Sequence, residues 1–133
     1  MISNKIKKLR HFLKLNNLDG YIVPKNDQFF SEYAYPNRLK EISNFTGSAG
    51  LAVILINKNF LFVDGRYTLQ AKIEAGKNFY IYEIPKFMPF QILKKNKKLS
   101  LGFDPKLFTN SSIEKNFKNS CYLFPLNQNL IDE

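Results

Sequence analysis

"LAVILINKNFLFVDGRY", residues 51–67, decides the fold. Residues 51–56 are apolar without a break, as a strand must be when helices cover both faces of its sheet. Asn57, Lys58 and Asn59 form a turn, and residues 60–63 return as the hairpin partner. Asp64, Gly65, Arg66 and Tyr67 then stand where the returning strand hands over to a helix across residues 66–75. Leu69 and Ile73, four apart, mark the apolar face expected of that helix, and Gly76 ends it.

Upstream, residues 3–16 predict an amphipathic helix. Ile2, Ile6, Leu9 and Leu13 recur at helical spacing while the lysines fall on other faces. Asn16 and Asn17 stop it before Gly20. "GYIVP", residues 20–24, is a short buried strand closed by proline. Residues 25–50 make a long polar and aromatic connection holding a short helix near 37–43, just after Pro36. Downstream, residues 79–84 are a strand, 86–98 a short helix and a basic loop, and 99–103 another strand. Residues 110–119 are helical, with Ser111 and Glu114 as a capping box and with Ile113 and Phe117 sharing a face. Residues 121–126 close the series. Strands interleaved with helices, plus one tight hairpin, predict the α/β class: a mixed β-sheet flanked by helices, in a single domain.

Composition narrows the function. In 133 residues, 44% are hydrophobic and 15% aromatic, enough for a real core. The longest apolar run is far too short to span a bilayer, so no membrane association is expected. The basic N-terminus lacks the apolar stretch and cleavage site of a secretory signal. Cys121 is the only cysteine, which excludes an internal disulfide and fits a cytoplasmic setting. The formal net charge of +9 raises nucleic acid as a partner. Much of the excess sits in two runs: Lys5, Lys7, Lys8, Arg10 and Lys14, then Lys94, Lys95, Lys97 and Lys98. Neither interleaves aromatic with basic residues, which favours a solvated lysine-rich surface over the alternative, a basic nucleic-acid-binding module.

Little in the chain suits hydrolytic chemistry. Histidine and cysteine each occur once, so a nitrogen and sulfur metal site is out of reach, and the 11 acids form no Asp-x-Asp loop. His11 falls on the polar side of the first helix. "TGSAG", residues 46–50, is neither a nucleophile elbow nor a phosphate loop, because Gly47 and Ser48 are adjacent and a strand follows. Gly47 and Gly50 are expected to ease the chain into the crowded central strand, where positive φ is needed. A hydrolase built on Ser48 or Cys121 would need His11 beside one of them, which their placement opposes. At the corner, Asp64 is placed to accept backbone N–H groups and Arg66 to brace the loop. A guanidinium stays protonated and is a poor base, so the pair is structural or at most orients a substrate.

"YIVPKNDQFFSEY" (residues 21–33), "ISNFTGSAGLAVI" (42–54) and "FVDGRYTLQA" (62–71), followed in order by "LGFDP" (101–105) and "NLIDE" (129–133), resemble the N-terminal domain of aminopeptidase P, the Xaa-Pro aminopeptidases of the creatinase/prolidase superfamily. The resemblance covers nearly the whole chain. It implies a mixed sheet with a ribonuclease H-like motif, in agreement with the reading above, occupying residues 1–133. It implies a larger enzyme whose separate "pita-bread" domain, absent here, holds two metal ions, usually manganese, and cleaves the bond before a second-position proline. For this chain it implies no catalytic or metal-binding residue, a place in a homodimer, and a share in the wall of the active-site entrance that admits short proline-containing peptides. The residues it points to for that wall or interface are Arg66, Tyr33, Tyr67, Asn44 and Phe45, shaped by Asp64, Gly65, Gly47 and Gly50. Its partners would be the catalytic domain of the same protein and a second copy.

Overall fold

The computed structural model describes residues 2–25, 38–47, 49–93, 98–118, 120–126 and 128–132. Helix α1 (Ile2–Leu15) buries Ile6, Leu9 and Leu13 on one stripe. It stops at Asn17, whose φ of 55° is left-handed, and the Leu18 N–H turns back to the Leu13 carbonyl at 2.9 Å. Asparagine tolerates that conformation better than any residue but glycine. Strand β1 (Gly20–Pro24) follows, then α2 (Arg38–Ser43), β2 (Leu51–Leu55) and β3 (Asn59–Asp64). A 3-10 turn (Gly65–Tyr67) leads into α3 (Thr68–Ala75). Then come β4 (Tyr80–Ile84), α4 (Pro89–Ile92), β5 (Ser100–Phe103), a second 3-10 turn (Pro105–Leu107), α5 (Asn110–Phe117) and β6 (Tyr122–Pro125).

The strands form one mixed sheet in the order β4-β3-β2-β1-β5-β6. β1, β2 and β3 pair antiparallel; β4 joins β3, β5 joins β1 and β6 joins β5 in parallel. The expected hairpin is β2–β3, with Leu51 opposite Phe62. β1 and β2 are buried along their whole length, which is why "LAVIL" has no polar alternation.

Alternation sorts these strands onto two cores. Tyr21, Val23, Ala52, Ile54, Leu61 and Val63 face α1, α2 and α3. Ile22, Leu51, Val53, Leu55, Phe60, Phe62 and Leu101 face the other way, with Leu93, Phe117 and Cys121. The last described residues return to the first face. Leu130 is buried there, its N–H donating to the Tyr21 hydroxyl at 3.3 Å, and Asn129 donates to Asp104 at 3.1 Å. Burial pushes the Tyr21 phenol up, so it stays protonated.

Two expectations are corrected. Leu69 and Ile73 are not the packing face of α3: they are 72% and 77% exposed, while Ala71 and Ala75 are buried. Small side chains let the helix lie close on the sheet, and the two large ones are left outside. The capping box of α5 is Thr109 with Ser112, not Ser111 with Glu114. Thr109 Oγ1 accepts the Ser112 N–H at 3.0 Å, and Ser112 Oγ accepts the Thr109 N–H at 3.2 Å. Gly76 does end α3 but stays right-handed, at φ −62°, with its N–H on the Lys72 carbonyl.

Candidate functional site

The corner begins where β3 ends. Asp64 keeps extended backbone angles, and its Oδ1 accepts the Arg66 N–H at 2.9 Å and the Arg66 Nε–H at 3.2 Å. The backbone bond first, then the guanidinium, holds the Asp64 carboxyl below the usual aspartate range. The Arg66 side chain is 73% exposed, and its guanidinium stands 5.2 Å from the centre of the Tyr67 ring. Both charged groups are thus engaged with their neighbours while remaining in solvent. Glu83 of β4 lies beneath: a Cβ on Gly65 would come within 3.1 Å of its carboxylate, so glycine suits that position.

Tyr67 links the corner to the segment ahead of β2. Phe45 is completely buried and meets the Tyr67 ring edge-on, with centroids 6.1 Å apart and planes at 78°. Gly47 and Gly50 pack on the same Phe45 ring, where any Cβ would crowd it. That is the reason for these glycines. Among the described residues no glycine has positive φ, which corrects the expectation based on backbone freedom; the left-handed residue here is Asn44, at φ 70°. Asp64, Arg66, Tyr67, Phe45, Gly47 and Gly50 therefore form one contiguous unit. Phe45 supports its surface from below, and Tyr67 and Arg66 carry that surface.

The residues that fasten this unit were not evident in the sequence. Glu74 of α3 accepts the Thr46 N–H at 2.8 Å on one oxygen and the Thr46 hydroxyl at 2.7 Å on the other. Gln70, one turn earlier, donates to Thr46 Oγ1 at 2.9 Å. Burial raises the Glu74 carboxyl, but the Thr46 and Gln70 hydrogen bonds and nearby Lys40 outweigh it, and the net direction is down. The usable signal was the four-residue spacing of Gln70 and Glu74, which puts both on one side of α3.

Other expected groups do not join this unit. His11 is exposed on α1, while Cys121 is buried in the core across the sheet, where burial pushes its thiol up. The sheet lies between them, so they form no nucleophile and base pair. Tyr33 and Ser48 lie outside the described residues. Among the described residues, no three His, Cys, Asp or Glu side chains come together as a metal site would need, so they do not fit a catalytic metal pair. The corner can bind and orient through Arg66 and Tyr67; the Asp64 and Glu74 carboxylates are committed to local hydrogen bonds.

Comparison with known proteins decides the lineage. The family description "Creatinase/Prolidase N-terminal domain" matches residues 5–128. The chain belongs to this family. Among its creatinase/prolidase relatives, it is 34% identical to a probable Xaa-Pro aminopeptidase P of Coprinopsis cinerea, over 98% of this chain and 23% of that protein. It is 38% identical to Xaa-Pro aminopeptidase 1 of Dictyostelium discoideum, over 81% of this chain and 18% of that protein. The chain thus spans about a quarter or less of the curated relatives it matches. In structure it is similar to the X-prolyl aminopeptidase of Caenorhabditis elegans, with a TM-score of 0.85 and 27% identity, over 99% of this chain and 25% of that one. A creatinase/prolidase-like N-terminal domain from Corynebacterium diphtheriae shares the fold, with a TM-score of 0.73 at 19% identity over 94% of this chain and 95% of that one.

Proposed function

We propose that this chain is the non-catalytic N-terminal domain of an Xaa-Pro aminopeptidase, an enzyme that releases the residue preceding a proline. The carrying observation is the match along residues 5–128, joined to the 0.85 TM-score with the C. elegans enzyme. In this reading residues 1–133 are one creatinase/prolidase N-terminal domain, and the catalytic domain is its partner within a longer polypeptide. The C. elegans enzyme is described as cytosolic with a di-nuclear active site. For the present protein we read a cytoplasmic setting and a pair of metal ions, manganese by family resemblance, held by the catalytic domain. The N-terminal domain contributes to dimerisation and to the wall of the active-site entrance, where short proline-containing peptides enter. Arg66, Tyr67, Asn44 and Tyr33 are its candidate wall or interface residues. Phe45, Gly47, Gly50, Asp64 and Gly65 hold that surface in shape.

The test is Arg66→Ala in a longer polypeptide carrying this domain together with its catalytic domain. A wall residue predicts a lower kcat/KM on Xaa-Pro peptides with metal content unchanged. An unchanged kcat/KM removes Arg66 from the role, and the absence of Xaa-Pro cleavage by the parent polypeptide removes the peptidase reading.

A further inference from the structure

On the sheet face opposite α1, α2 and α3, the β4 edge ends in aromatic rings. Register places Phe60 beside Tyr80 and Phe62 beside Tyr82. The ring centroids stand 5.8 Å apart in the first pair and 5.7 Å in the second, and Phe87 adds a further ring 5.7 Å from Tyr82. Phe60 and Phe62 are buried and back the ladder, whereas Tyr80 is 59% and Phe87 43% exposed, with Tyr82 half-buried between them.

Lysines flank both ends of the ladder. Lys58 is exposed two residues before Phe60, so alternation sets it on this face at the Tyr80 end. Lys86 is exposed next to Phe87 at the other end. Glu83 belongs to the opposite face, against Gly65. Of the acids in β3 and β4, alternation leaves only Asp64 on this face, and Arg66 holds its carboxylate. The whole chain carries +9. Solvent-facing rings flanked by lysines suit a flat, aromatic polyanion. A neutral peptide gains nothing from the lysines, and a second copy would set lysines against lysines.

We propose that Tyr80, Tyr82 and Phe87 form a stacking platform for single-stranded nucleic acid, with Lys58 and Lys86 meeting its phosphates. Bases stack on exposed rings whatever their sequence, and sheets that carry such rings hold about two or three bases at a time. Tyr80, Tyr82, Lys86 and Phe87 all lie within residues 80–87, outside both basic runs, and only Lys58 is brought to them by the fold. The platform does not depend on the peptidase reading, and the 133-residue chain is enough to test it.

Fluorescence anisotropy with labelled oligothymidylate and oligouridylate at low salt is the experiment, with circular dichroism to confirm that each variant folds. Tyr80→Ala and Phe87→Ala are each expected to weaken binding by about fivefold to a hundredfold. Lys58→Ala and Lys86→Ala are each expected to lower the log–log salt slope by roughly 0.7. Tighter binding of one oligonucleotide supports the platform and tells DNA from RNA. No binding of either at low salt overturns it. So does binding that ignores both ring variants and is displaced equally by a heparin fragment, because charge alone is then responsible. Capture of a proline-rich peptide in place of the oligonucleotides also overturns it.

Discussion

Glu74 grips Thr46 with both carboxylate oxygens, at 2.8 Å to its N–H and 2.7 Å to its hydroxyl, and so ties α3 to the segment that leads into β2. Glu74→Ala should cost about 1 kcal/mol, below the roughly 1.5–3 kcal/mol usual for hydrogen bonds to a charged acceptor because the site lies near solvent. The pH dependence has a definite sign. The folded pKa of Glu74 is lowered, so its contribution is fully present above the ordinary glutamate value of about 4.3. It is lost as pH falls through the folded pKa. Urea melts of wild type and Glu74→Ala should therefore differ at neutral pH and converge in acid.

Phe45 is the packing centre of the same unit. Phe45→Ala should destabilise by about 3–5 kcal/mol, since it empties a fully buried ring site. Gly47→Ala should cost about 1–3 kcal/mol by overpacking the ring, although no positive φ is involved. Denaturant midpoints at constant slope check both values, and a neutral Gly47→Ala would contradict the ring-packing account of that glycine.

Arg38 holds Asp132 with two parallel hydrogen bonds, at 3.0 and 2.8 Å. Its fork fits a carboxylate as lysine cannot. Because Asp132 is largely solvated, Arg38→Lys should cost about 1 kcal/mol or less in global stability. The clearer effect should be local: faster hydrogen exchange at the Leu130 N–H, which bonds to Tyr21.

The two faces of α3 give opposite expectations. Leu69→Lys and Ile73→Lys should stay within about 0.5 kcal/mol of wild type in the isolated chain, because both side chains are mostly in water. Ala71→Leu should destabilise by about 1–3 kcal/mol, because it pries the helix from the sheet. Thermal melts of the three variants separate these cases.

The strands were legible because burial on both faces leaves a continuous apolar run, and the hairpin because a polar turn splits two such runs. The Asp64 cap was legible because it acts within two residues of itself. The face of α3 was misread for a physical reason. Hydrophobic periodicity weights large side chains, and this helix packs through small ones. Gly47 and Gly50 were read as sites of backbone freedom, whereas the need is space for a ring that only the tertiary fold brings over them. Glu74 is 28 residues from Thr46, and no local pattern announces a bond of that kind. The backing of Tyr80 and Tyr82 by Phe60 and Phe62 was hidden likewise, since β3 and β4 meet only through a parallel crossover.

The central claim, a domain that shapes an Xaa-Pro peptidase without doing its chemistry, is tested most directly by assaying the purified 133-residue chain on an Xaa-Pro peptide with added manganese. The account predicts no release of the first residue above the protein-free rate. Turnover that co-purifies with the chain and disappears on metal chelation would contradict it.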